Sequence, residues 1–161
     1  YQMLEAARVL YEKFQWARQQ SKLGPHSECT DANQQVGFFK GALLLLGFAA
    51  ENALKALIVH QVLSRQANGK LSLSIFGRDP HDLTKLCNIA GLKLQSFENQ
   101  LLERLSTVIK WTGRYRLPRT EAQFEDAKRA DPLQLSYPSD LEIIESVLDQ
   151  VRRDIEDGYV R

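Results

Sequence analysis

Val36 to Gln66 reads VGFFKGALLLLGFAAENALKALIVHQVLSRQ, and the reading of this stretch decides the fold. It contains no proline, and polar groups break its apolar surface chiefly at Lys40, Glu51, Asn52, Lys55 and His60. A helix that is apolar nearly all the way round is buried nearly all the way round, so the stretch predicts the central helix of a domain. Its longest uncharged run, Gly41 to Ala50, is about half the roughly twenty residues a bilayer requires. A core helix is therefore expected, and no membrane. Glu51 and Lys55 stand four apart, on one face, where the helix should lie deepest. Charges at such depth are costly unless paired. Two readings stay open: a surface ion pair on an exposed strip, or a paired polar site inside the bundle. Leu44 and Gly47, further back along the same stripe, carry no sign of solvent. Asn52 adds donor and acceptor capacity about a third of a turn away.

The rest of the composition sets bounds. At 161 residues and 43% hydrophobic, the chain fits one domain spanning residues 1–161, long enough for a substantial core. A net charge of +1 makes neither nucleic acid nor membrane a partner by bulk charge, so any electrostatic argument must be local. Cys29 and Cys87 are far apart and form neither a disulfide framework nor a zinc motif, which points to reduced thiols and a cytoplasmic setting. Cys87 reads as buried packing. No signal peptide is visible at the front of the chain.

Taken in order, Gln2 to Gln20 carries Met3, Ala7, Leu10, Phe14 and Ala17 at helical spacing, and stops near Leu23-Gly24-Pro25. Asp31 and Gln34 form a capping box that opens the central helix. Leu71 to Phe76 (LSLSIF) has no partner strand and reads as an ordered loop packing Leu71, Leu73 and Ile75 on the core. Asp79 as N-cap, Pro80 in the first position and Asp82 in the first turn begin a short helix that ends at Gly91. Ser96 caps the next helix, whose apolar face is Phe97, Leu101, Leu105, Val108 and Ile109, and which ends at Trp111. A weakly helical piece follows from Glu121 to Ala130. Ser139 with Glu142 opens a last amphipathic helix over Asp140 to about Asp157. The expectation is an all-α, up-and-down bundle of four main helices with one or two short ones.

The sequence lacks the usual motifs for cofactors, metals and nucleophiles. His26, His60 and His81 form no HExxH and no pair at ligand spacing, and P-loop, GxGxxG and GxSxG patterns do not occur. No metal and no cofactor is expected. His81 and Asp82 lie at a helix start. That position explains Asp82 as a partner of the helix dipole, and it also places His81 beside a potential anion site. Between Asn99 and Thr120 there are Arg104, Lys110, Arg114, Arg116 and Arg119 against one acid, Glu103, with Trp111 and Tyr115 interleaved. Guanidinium forks suit phosphate and aromatic rings suit base stacking, so this segment reads either as a nucleotide or RNA contact or as a solvated basic loop.

Three pieces in order, GFAAENALKALI, PHDLTKL and VIKWTGRYRLP, resemble segments of the HEPN family of small helical domains: its apolar-A-x-E-x-x-L-K helix, its His-Asp-Leu segment and its Arg-Tyr-Pro turn. The similarity spans nearly the whole chain. It implies a helical bundle, often a homodimer, that binds nucleotides or RNA. In some cases such a protein pairs with a minimal nucleotidyltransferase in toxin–antitoxin systems. Many members are metal-independent ribonucleases carrying Arg, four to six residues, then His. This chain departs from that pattern. Arg18 is too far before His26, Arg78 is too close to His81, and Arg114-Tyr115-Arg116-Leu117-Pro118-Arg119 contains no histidine. The resemblance thus implies binding without the standard catalysis, with Glu51, Asn52, Lys55, His81, Asp82, Arg114, Tyr115 and Arg116 as the ligand-binding set. A divergent ribonuclease using Arg114 with Tyr115 or His81, and a pure protein–protein interaction module, are the alternatives.

Overall fold

The computed structural model describes residues 2–21, 32–65, 71–111, 121 and 139–158. Within them the elements are α1 (Gln2–Ser21), α2 (Ala32–Arg65), a 3-10 turn (Leu73–Phe76), α3 (Leu83–Ala90), α4 (Ser96–Trp111) and α5 (Ser139–Gly158). All regular structure among the described residues is helical, so the fold is all-α. Asp31 and the stop at Leu23-Gly24-Pro25 lie outside the described residues. So do the basic segment 112–120 and the weakly helical piece after Glu121.

The stretch quoted above is the axis of the fold. α2 packs against α1, α3, α4, α5 and the 3-10 turn. α1 runs antiparallel to it. The Gln35 amide donates to the Ala17 carbonyl at 3.4 Å, Leu10 lies over Gly41, and the Asn52 amide meets the Met3 sulfur at 3.5 Å. These contacts climb α2 as they descend α1. Leu43, Leu46, Leu54 and Leu57 of α2 are fully buried with Leu83 and Leu86 of α3, Leu101, Leu102, Leu105 and Ile109 of α4, and Ile144 of α5. At about 1.5–3 kcal/mol per fully buried aliphatic side chain, this cluster is the main force holding the helices together.

Burial on every side holds only for residues 41–51 of α2. Beyond them Asn52 and Ala56 are exposed, as are Val36 near one end of the helix and Leu63 near the other. By length and composition, residues 34–64 could also cross a membrane; in this structure 56% of the apolar window is buried inside the bundle. Gly47 is there because α4 comes close. A Cβ at that position would sit 2.7 Å from Ile109 Cγ1. The gain in packing offsets the roughly 1 kcal/mol by which glycine disfavours a helix interior.

The segments that position the site differ from the sequence expectation in three places. Residues 71–76 do not follow an alternating pattern, because Ser72 caps a 3-10 turn through its side chain and strand-like alternation no longer applies. Ile75 and Phe76 pack on the core, while Leu71 is exposed and Leu73 is 84% exposed. α3 starts later than Asp79: Asp82 is its N-cap, in extended conformation, and Pro80 and His81 form the turn before it. α4 is capped by Gln95 and not by Ser96. The Gln95 carbonyl accepts from Asn99 N–H at 3.0 Å, and the Glu98 carboxylate reaches back to Gln95 N–H at 2.6 Å, one half of a capping box. Phe97, expected on the core face of α4, is exposed.

Candidate functional site

The late start of α3 aims His81 at α2. Asp82 caps the helix by accepting from Lys85 N–H at 3.1 Å and from the Thr84 hydroxyl at 2.7 Å. Leu83 N–H, an orphan donor of the first turn, donates to Ser106 Oγ on α4 at 2.9 Å. Ser106 in turn donates to the Leu102 carbonyl at 2.6 Å. With Asp82 and Leu83 both tied down, the residue before them has little freedom, and its ring turns toward the middle of α2.

There it meets Glu51. His81 Nδ1 lies 2.9 Å from Glu51 Oε1, and Lys55 Nζ lies 2.5 Å from the same oxygen. Glu51 is only 5% exposed, so of the two readings of the Glu51–Lys55 pair the structure selects the site inside the bundle. The side chains of Lys55 and His81 are 22% and 19% exposed, so the carboxylate is the deepest member of the group and the two nitrogen bases are partly open to water. A carboxylate can only accept, so Nδ1 carries the proton, and a neutral ring then leaves Nε2 as the acceptor facing outward. Lys55 Nζ also stands 5.4 Å from the centre of the Phe76 ring, a cation–π contact supplied by the 3-10 turn. Glu51 Oε2 is buried and has no hydrogen-bond partner among the described residues.

A second ionic group adjoins the first. Lys110, at the end of α4, places Nζ 2.6 Å from Asp79 Oδ2 and 3.6 Å from Asp82 Oδ2. Lys85 adds a contact to Asp82 at 3.0 Å. Burial pushes the Asp82 carboxyl up, but hydrogen bonds from Thr84 and from the backbone and side chain of Lys85, with the charge of Lys110, outweigh it and hold the group at about 2 against an ordinary 3.8. The same contact with Asp82 raises Lys85. Among the described residues no three His, Cys, Asp or Glu side chains come together in a way that could hold a metal ion.

Of the eight residues singled out from sequence, the structure therefore joins Glu51, Lys55 and His81 directly and places Asp82 next to them as a cap. Asn52 is not part of this group. It is exposed and faces α1, on the wall of a groove of about 630 Å³ floored by Ala49, Ala53 and Ala56 and closed by Leu148, Val151 and Ile155 of α5. Arg114, Tyr115 and Arg116 lie outside the described residues. The two bases of that basic stretch which are described are both committed internally: Lys110 to the aspartates above, and Arg104 to the buried Asp140 carboxylate at 3.2 Å to each oxygen.

Sequence reasoning missed Phe76, Asp79 and Ser106. Asp79 had a signal, since Asp79 and Asp82 bracket Pro80-His81. Ser106 had none, because its partner lies 23 positions away. No protein-family model matches the chain, and neither does any curated protein or solved structure.

Proposed function

We propose that the chain is a HEPN-like helical module that binds a nucleotide or RNA without cleaving it, as a homodimer, with the seam between α2 and the start of α3 as its phosphate contact. One observation carries this reading: a carboxylate deep in the bundle holds Lys55 and His81, from two separate elements, side by side at the surface. Buried ionic groups are weak sources of stability, so a cluster of this kind points to a role beyond folding. The resemblance of the ENALK and PHDL segments to HEPN domains supports the same reading, and a minimal nucleotidyltransferase is the partner class it suggests. Calorimetric titration of ATP, other nucleotides and short RNA tests it. The native protein should bind at least one of these, and Lys55→Ala should weaken that binding. No binding by the native protein, or equal binding by both, ends the proposal. An Arg114→Ala/Arg116→Ala variant tests the basic turn in the same experiment.

A second reading is favoured by the Glu51–His81 contact alone. A carboxylate that fixes the imidazole tautomer leaves Nε2 free to take a proton, the arrangement of a general base with its positioning residue. Acting on RNA, Nε2 would take the ribose 2′-hydroxyl proton as that oxygen attacks the adjacent phosphorus. The 5′-oxygen would leave with a proton taken from water, giving a 2′,3′-cyclic phosphate and a 5′-hydroxyl end, and the proton on Nε2 would return to solvent. Incubation of labelled RNA with the protein in chelator decides this, and absence of cleavage that depends on His81 removes it.

A further inference from the structure

We infer that His81 sets the charge of the seam, so that its hold on a phosphodiester strengthens as the pH falls from 8 to 5.5. This rests on the phosphate-binding reading above. The geometry that carries it is the sharing of a single oxygen: Lys55 and His81 both contact Glu51 Oε1, and no further cation among the described residues reaches that carboxylate. With a neutral imidazole, Lys55 matches Glu51 in charge. Next door, Lys110 and Lys85 match Asp79 and Asp82. Among the described residues the group then carries no net charge, and His81 Nε2 presents a lone pair, which repels a phosphate oxygen. One proton on Nε2 changes both properties together. The group gains a unit of positive charge, and Nε2 becomes a donor beside the Lys55 ammonium.

Among the described residues, the charged groups facing this corner are Glu51 and Lys55 from α2, Asp79 and Asp82 from the segment leading into α3, Lys85 from α3 itself, and Lys110 from α4. Carboxylates and ammonium groups ordinarily titrate outside the window from pH 5.5 to 8, whereas an imidazole titrates within it. Asp82, held at about 2, and Lys85, raised, lie further outside still. A unit charge within a few ångströms of a bound phosphate at a partly exposed site is worth about a tenfold change in affinity.

The test is binding of a fluorescent oligouridylate lacking terminal phosphates, whose charge is constant across the window, measured by anisotropy at fixed ionic strength. The native protein should bind about tenfold more tightly at pH 5.5 than at pH 8. His81→Gln keeps a donor for Glu51 but cannot take up charge. It should bind with one weak affinity at every pH, with its helical circular dichroism unchanged. By reciprocity, saturating RNA should shift the titration of the His81 ring resonance upward in pH, which a purely structural histidine would not show. Binding that is flat with pH in the native protein, or equally pH-dependent in His81→Gln, overturns the inference and leaves the binding reading standing. No binding at any pH removes both.

Discussion

Replacing Glu51 by glutamine should destabilise the protein more than replacing it by methionine, although glutamine is the closer mimic. The reason is the second carboxylate oxygen. Oε1 accepts from Lys55 and His81, whereas Oε2 is buried without a partner among the described residues. In Glu51→Gln the amide oxygen takes the place of Oε1 and the amide NH2 falls where Oε2 was. A buried donor is then left without an acceptor, at about 1–3 kcal/mol. Loss of the carboxylate charge adds about 1 kcal/mol and not more, because Lys55 and His81 are each about one-fifth exposed and can lean into water. Methionine fills a similar volume, abolishes the unpartnered buried atom and removes the desolvation of a carboxylate; it shares the roughly 1 kcal/mol loss of the charge contacts, so its net cost should stay near 1 kcal/mol. At roughly 2–4 °C per kcal/mol for a domain of this size, the glutamine variant should melt on the order of 10 °C lower and the methionine variant within a few degrees of native. Thermal melts by circular dichroism at pH 7.5, supported by urea titrations, measure this. A methionine variant that melts at or below the glutamine variant refutes the reasoning, since Oε2 would then have a donor in solution.

Three other outcomes follow from single contacts. Asp82 is depressed to about 2 from 3.8, so its stabilising contribution is complete above pH 3.8 and is lost as the pH falls through about 2. Acid unfolding should steepen in that interval, and Asp82→Asn should flatten the stability profile there while lowering the plateau at neutral pH. Gly47→Ala should destabilise by about 1–3 kcal/mol by forcing Ile109 aside, whereas Gly37→Ala, which meets nothing within 4 Å, should stabilise by about 0.5–1 kcal/mol; equal effects in urea titrations would contradict the close approach of α4. Burial and the neighbouring Glu98 push the Cys87 thiol up to about 12, so iodoacetamide should modify Cys87 only after denaturation, as peptide mass analysis would show; rapid native labelling would contradict its place in the core.

The helices were legible because their signals are periodic and repeated. Leu43, Leu46, Leu54 and Leu57 mark α2 whatever packs on it, and Leu141, Ile144, Leu148 and Val151 mark α5 in the same way. The short connections were less legible because their geometry depends on single hydrogen bonds. Asp79 and Asp82 are equally good caps by sequence. Asp82 holds the position in the structure, where Ser106, from another helix, satisfies the Leu83 N–H beside it. The same limit applies to the 3-10 turn, where Ser72 decides the conformation and leaves Leu73 in solvent. Glu51 and Lys55 could be paired from their spacing, but their burial and the arrival of His81 depend on how α3 begins.

The two described bases of the basic stretch show how pairing in space discounts charges counted along the chain. Between Asn99 and Thr120 the bases outnumber the acids by five to one, which invites a phosphate. In space, Arg104 faces Asp140 and Lys110 faces Asp79 and Asp82, acids contributed from far along the chain. Each of these cations has its charge matched before any ligand arrives, and so has Lys55. Fixed cations that are already paired attract an anion weakly, since the ligand must compete with a carboxylate that is in place at no entropic cost. An imidazole is the side chain whose charge ordinarily changes near neutral pH. In the proposed phosphate-binding reading, the protonation of His81 therefore changes the hold more than the paired Arg104 and Lys110 do.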